Sequence, residues 1–178
     1  MKYFNSLKQS MKLLGSHPKT IFIGQAVEYE GTAMTKTLVD MNKKKLLELP
    51  VAEEMQMGIT LGIALEGLIP VSIFPRWNFI MCAMNQLVNH LDKISQMSDN
   101  QFKTKMIIRT SIGSKRPLNP YCQHVGDFTL VVKKMCPNFE VLRLDEPEVI
   151  VSSYKKALYR KDGKSTILVE YGDFYNEK

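Results

Sequence analysis

No stretch of this chain is apolar for the roughly 18 residues that a membrane span requires, so no membrane partner is expected. The N-terminal MKYFNSLKQSMKLL scatters lysines among single apolar residues, unlike a signal peptide. Cysteine is sparse and odd in number, and Cys82, Cys122 and Cys136 are irregularly spaced. That argues against a disulfide frame or a zinc site and for thiols in a reducing cytoplasm. Basic patches interleaved with aromatics are missing as well. Lys43-Lys44-Lys45 is a short run, so the net charge of +6 does not imply nucleic acid. An anionic cofactor, substrate or acidic partner accounts for it. Neither repeats, nor low-complexity segments, nor an internal linker divides the chain.

What is present reads as one domain over residues 1–178, long enough for a substantial core. Apolar positions at Tyr3, Phe4, Leu7, Met11 and Leu14 predict a helix stopped by Gly15. Thr20 to Gly24 predicts a buried strand, and Gln25 to Thr32 a loop at its carboxyl end, where ligands gather in open parallel sheets. A short helix over Thr35 to Met41 and a brief strand over Leu46 to Leu49 follow. Next come a helix from Glu53 to Gly67, a strand from Leu68 to Phe74, a long helix from Phe79 to Met97 and a strand from Lys105 to Ile112. Ser114 to Cys122 predicts a loop. Beyond it lie a helix over Val125 to Met135, a strand over Glu140 to Leu144, a helix over Pro147 to Arg160 and a strand over Thr166 to Tyr171. Such alternation predicts an α/β fold, three-layer α/β/α, with a mostly parallel sheet covered by helices on both faces.

The segment Pro50 to Gly67, PVAEEMQMGITLGIALEG, carries the strongest local signal. Glu53 and Glu54 fall in the first turn of its helix, where the macrodipole favours carboxylates. Gly58 and Gly62 lie four apart and share one face. Two mid-helix glycines cost roughly 1 kcal/mol each against alanine, which points to a packing reason. A close helix crossing flanked by Ile59 and Ile63 would supply one.

The spacing Glu53, four residues, Gly58-Ile59, two residues, Gly62-Ile63 resembles the Glu-x4-Gly-apolar-x-x-Gly-apolar pattern of the pyrimidine-binding domain of thiamine-diphosphate enzymes. The resemblance covers most of the chain. It is to the beta subunits of 2-oxoacid (pyruvate) dehydrogenase decarboxylase components and, more distantly, to transketolase. Trp77-Asn78-Phe79 resembles the family's aromatic-Asn-Phe triplet that opens a long helix, and Gln123-His124 its Gln-His pair. There are departures. Glu66 stands for a glutamine, Gln25-Ala26 for acidic residues after the first strand, and Asn85 for the acidic residue before Gln86. The Gly-Asp-Gly…Asn signature that holds diphosphate through a metal ion is not found, and where the family's beta subunits continue into a third, C-terminal domain, this sequence ends at Lys178.

The resemblance implies thiamine diphosphate as cofactor and half an active site. The other half, with Mg2+, would lie on a separate diphosphate-binding chain, most simply in a heterotetramer. Glu53 would share a proton with the aminopyrimidine ring, Phe79 would stack on it, and Trp77 would line the same pocket or pack beneath it. His124 would act on the substrate, a 2-oxoacid or a ketose, as a catalytic group. Independently of the resemblance, Arg76 and Arg116 lie next to these segments as cations placed to meet a substrate anion. No protein ligand to a metal is expected. Gly58, Ile59, Gly62 and Ile63 would face the partner. Two other readings stand beside this one: a catalytically inactive regulatory or assembly subunit, and an unrelated flavodoxin-like domain that binds a small ligand.

Overall fold

The computed structural model describes residues 2–176. Six strands form one wholly parallel sheet in the order β2-β1-β3-β4-β6-β5. They are β1 (Thr20–Gly24), β2 (Leu46–Glu48), β3 (Ile69–Ile73), β4 (Ile107–Ile112), β5 (Glu140–Arg143) and β6 (Thr166–Tyr171). The β-branched runs TIFIG, IPVSI, IIRTSI and TILVEY are buried almost throughout, as strands covered on both faces must be. Successive residues therefore feed opposite cores. Ile107 and Leu168 join one with α1 (Tyr3–Ser16) and α6 (Pro147–Tyr159). Ile108, Ile167 and Val169 join the other with α2 (Glu53–Leu65), the helical stretch 77–97 and α5 (Thr129–Met135). The three-layer α/β architecture expected from the sequence is the one observed.

Several elements differ locally from expectation. Gly15 does not stop α1, which continues to Ser16. A Cβ at Gly15 would lie 2.0 Å from Cε of Met41, so this glycine allows close packing inside the helix. Only Thr35–Thr37 of the predicted 35–41 helix forms, as a single 3-10 turn. The predicted 79–97 helix starts earlier and is segmented: α3 (Trp77–Ile80), a 3-10 turn (Met81–Ala83), a π turn (Gln86–Leu91) and α4 (Ile94–Met97). Its buried stripe, Trp77, Ile80, Ala83, Leu87 and Leu91, stays on the sheet throughout. The widened turn brings Asp92 inward, where its carboxylate accepts the Asn138 N–H at 2.9 Å.

The sheet also buries a full ion pair. Arg109 in β4 and Glu170 in β6 are both 0% exposed. Arg109 Nε donates to Glu170 Oε1 at 2.5 Å and Nη2 to Oε2 at 3.0 Å, and Nη1 donates to Thr37 Oγ1 at 2.8 Å. The Tyr154 and Tyr175 hydroxyls donate to the same carboxylate. Burial, reinforced by the Glu170 charge, pushes both phenols well above their ordinary value, so they stay protonated and able to donate.

Arg109→Leu should lower stability in urea unfolding by about 3–5 kcal/mol, because Glu170 is left charged and buried. The double variant Arg109→Leu, Glu170→Leu should recover much of that loss. Single and double variants that lose stability additively would mean the two groups are not coupled.

Candidate active site

Parallel strands point their carboxyl ends the same way, so the loops after β1, β3, β4 and β6 converge on one edge. They enclose a cleft of about 1010 Å³. Its walls include Gln25 and Ala26 after β1, Pro75, Arg76 and Phe79 after β3, Gly113, Ser114 and Arg116 after β4, and Gly172 and Tyr175 after β6. The chain crosses from β1 out to β2 and back to β3, so Gln25 and Pro75 flank the point where strand order reverses. Two glycines allow close approaches around the cleft, one between β1 and β3 and one between the loops after β6 and β4. A Cβ at Gly24 would sit 2.5 Å from the Ile73 carbonyl oxygen, and one at Gly172 would sit 2.8 Å from the Ser114 nitrogen.

Glu53 opens α2 and is half-buried. It does not line the main cleft but an adjoining depression of about 670 Å³ with Ala52, Met55, Ile59 and Cys82. Gln25 joins the two, lining the cleft while its Nε2 donates to Glu53 Oε1 at 3.3 Å. Glu54 is differently employed: its Oε1 accepts Asn85 Nδ2 at 2.7 Å and Gln86 Nε2 at 3.1 Å, tying α2 to the next helical stretch.

The rings of Phe79 and His124 lie 5.2 Å apart at 40°. His124 has positive φ (58°), and its Nδ1 is buried without a hydrogen-bond partner. Arg76 holds the loop around it, with Nη1 donating to the His124 carbonyl at 3.0 Å and the Ser114 carbonyl at 3.3 Å. Burial lowers the Arg76 guanidinium from its ordinary value, and Asp173 opposes that shift. Arg116 is exposed at the cleft rim. Phe79, His124, Arg76 and Arg116 thus come together around the cleft.

Trp77 takes the second of the two places open to it: it is 0% exposed, within the core beneath the cleft, and is not among the lining residues. Among the described residues, the glycine stripe has no contact tighter than ordinary van der Waals distance. The nearest atom to a Cβ at Gly58 would be Gln86 Cδ at 3.8 Å, and nothing would lie within 4 Å of one at Gly62. Met55 and Ile59 on the same helix are exposed.

Sequence reasoning passed over Gln25, noted only as a departure, and Glu48, Ser111 and Tyr175 entirely. Ser111 Oγ donates to the Pro75 carbonyl at 2.7 Å, tying the end of β4 to the loop after β3. Their signal was position alone: each stands at or just beyond a strand's carboxyl end. Among the described residues no group of three or more His, Cys, Asp or Glu is arranged to hold a metal ion, and no helix is long and apolar enough to cross a membrane.

The chain is similar to several known proteins. The beta subunit of the pyruvate dehydrogenase E1 component from Gracilaria tenuistipitata var. liui is 24% identical over 98% of this chain and 54% of its own. The mitochondrial counterpart from Chaetomium thermophilum is 38% identical over 48% of this chain and 23% of its own. The chain thus spans about half the length of that Gracilaria subunit. A split-gene transketolase, solved as an inactive beta4 tetramer, superposes with a TM-score of 0.69 at 15% identity, covering 94% of this chain and 50% of that one. Residues 5–175 match the family profile described as "Transketolase, pyrimidine binding domain", and the chain belongs to that family.

Proposed function

We propose that this chain is the pyrimidine-binding subunit of a two-chain thiamine-diphosphate-dependent enzyme. The reaction class is cleavage of a bond next to a carbonyl, either 2-oxoacid decarboxylation with acyl transfer or ketol transfer. The family is thiamine-diphosphate-dependent. The observation that carries the reading is the pair Gln25–Glu53 at the strand-order reversal, beside a cleft walled by Phe79.

The residues present suit a flat, polar-edged ring. Phe79 offers an aromatic face, and His124 Nδ1 is a buried polar atom without a partner. Bound thiamine diphosphate supplies the electron sink for the carbanion left when the bond breaks. Gln25 engages only one carboxyl oxygen of Glu53, which leaves the other for a proton shared with a ring nitrogen. His124 serves the substrate as a catalytic group beside Phe79. Arg116 at the rim, and the Arg76 donors not spent on the two carbonyls, receive a substrate carboxylate. The partner chain contributes the diphosphate and Mg2+ half, and the face of α2 with exposed Ile59 and Gly62 and half-buried Gly58 and Ile63 packs against it in a heterotetramer. Free thiols at Cys82, Cys122 and Cys136 suit the reducing cytoplasm.

In the assembled enzyme, Glu53→Gln should cut turnover and proton exchange at the thiazolium carbon by about a hundredfold or more. Glu54→Gln should be nearly silent: it keeps an acceptor oxygen for Asn85 and Gln86 and points about 100° away around the helix. The reverse pattern in deuterium-exchange quench measurements would assign the chemistry to the wrong carboxylate. Gly62→Leu should leave the isolated chain folded and soluble yet weaken assembly in sedimentation runs. An unfolded Gly62→Leu chain would place the stripe inside the domain. The chain alone should bind thiamine diphosphate weakly. Tight magnesium-dependent binding without a partner, seen by calorimetry, would rule out the split site.

A further inference from the structure

We propose that Glu48 is a positioning residue of this site, acting through the loop 25–28 and Gln25 on Glu53. The inference rests on the reading of Glu53 given above. Glu48 ends β2, and its carboxylate captures three successive backbone N–H groups: Ala26 at 2.6 Å, Val27 at 2.8 Å and Glu28 at 2.8 Å. Consecutive amides turned to one side form a concavity for an anion, and here a side chain of the same chain fills it. Ala26 sits at φ 52°, a left-handed conformation that costs an L-residue energy and persists only where its surroundings hold it. Those surroundings are specific. Glu48 takes the Ala26 N–H, and Thr35 Oγ1 donates to the Ala26 carbonyl at 2.5 Å.

The strained residue is the one that follows Gln25, so its backbone fixes how Gln25 enters the cleft. Gln25 Nε2 then reaches Glu53 Oε1. Glu48 and Glu53 also share a segment. The Leu49 N–H donates to the Gly24 carbonyl at 2.9 Å, so strand end and helix start are both laced to the loop after β1. Loss of the Glu48 charge removes three charge-assisted bonds at once. The loop then relaxes and Gln25 no longer sets which Glu53 oxygen is free.

The test is made on the full chain by nuclear magnetic resonance without cofactor. In the wild type, the Ala26, Val27 and Glu28 amides should exchange slowly with deuterium. In Glu48→Gln they should exchange about tenfold or more faster, while β4 amides keep their protection. The side-chain amide signals of Gln25 should move in Glu48→Gln toward their positions in Glu53→Gln. Gln25→Ala should leave the three backbone amides protected, because the dependence runs from Glu48 outward. Fast exchange at these amides in the wild type overturns the proposal whether or not the variants fold. So do Gln25 signals unchanged in Glu48→Gln, which would make Glu48 a purely local clamp. These signals do not depend on thiamine chemistry. A Glu53→Gln enzyme with full activity would therefore overturn the functional reading while leaving the coupling of Glu48, Gln25 and Glu53 to stand or fall by itself.

Discussion

The Arg109–Glu170 pair is the constraint around which the sheet and cleft are arranged. Each ion taken alone into a dry interior is strongly unfavourable, so each must find the other with good geometry. Burial alone pulls the Arg109 guanidinium down, but Glu170 and the neighbouring tyrosines hold it above its ordinary value. Satisfying the pair recruits Thr37 from the 3-10 turn after the β1 loop, Tyr154 from α6 and Tyr175 from the turn after β6. Tyr175 also lines the cleft. The network therefore fixes the register of β4 against β6 and, through Tyr175, a wall of the site. Tyr3 extends the same tie to the first helix, accepting the Tyr171 N–H at 2.8 Å and donating to the Leu144 carbonyl at 2.7 Å.

Most of the fold was legible because its strongest signals are periodic. Runs such as TIFIG and LIPVSIF are short, β-branched and bounded by glycine or proline, so the strands announce themselves. Departures arise where tertiary packing overrules a local rule. Gly15 reads as a stop, yet it allows Met41 to approach α1. The stretch from Trp77 to Met97 reads as one helix because its apolar spacing is unbroken, but spacing cannot distinguish an α turn from a π turn that keeps the same side chains on the sheet. The ion pair was legible in principle. An arginine in IIRTSI and a glutamate in TILVEY are opposite charges in two otherwise buried strands, and each implies a partner.

The site was legible in a different way. Phe79 and His124 were singled out through resemblance, Arg76 and Arg116 as cations next to those segments, and their convergence follows from the parallel sheet, which carries distant loops to one edge. The residues that hold them were not found. Gln25, Glu48 and Ser111 act through hydrogen bonds to segments distant in sequence, and no spacing rule encodes a contact between residues 25 and 53, 26 and 48 or 75 and 111. Backbone acceptors and donors, such as the Ala26 amide and the Pro75 carbonyl, have no identity in a sequence.

Trp77 and the glycine stripe show how one helical pattern divides between inside and outside. Trp77, the largest side chain near the cleft, is spent on the core, where its ring supports the loop from below. Phe79, two residues on, turns to the cleft instead, because successive helical positions diverge by about 100°. In α2 the same geometry sends Gln56 and Thr60 inward to Ser72, at 3.1 and 3.0 Å, and leaves Gly62 open. The inward face thus carries polar groups that bind α2 to β3, while the outward face carries Met55, Ile59 and two glycines. A helix solvated on that outer side would gain nothing from glycines in its middle. Met57 and Ala64 turn inward beside those polar groups, so the inward face mixes polar and apolar contacts, while the outward face sets apolar side chains beside glycine, a combination that a solvated helix face does not need.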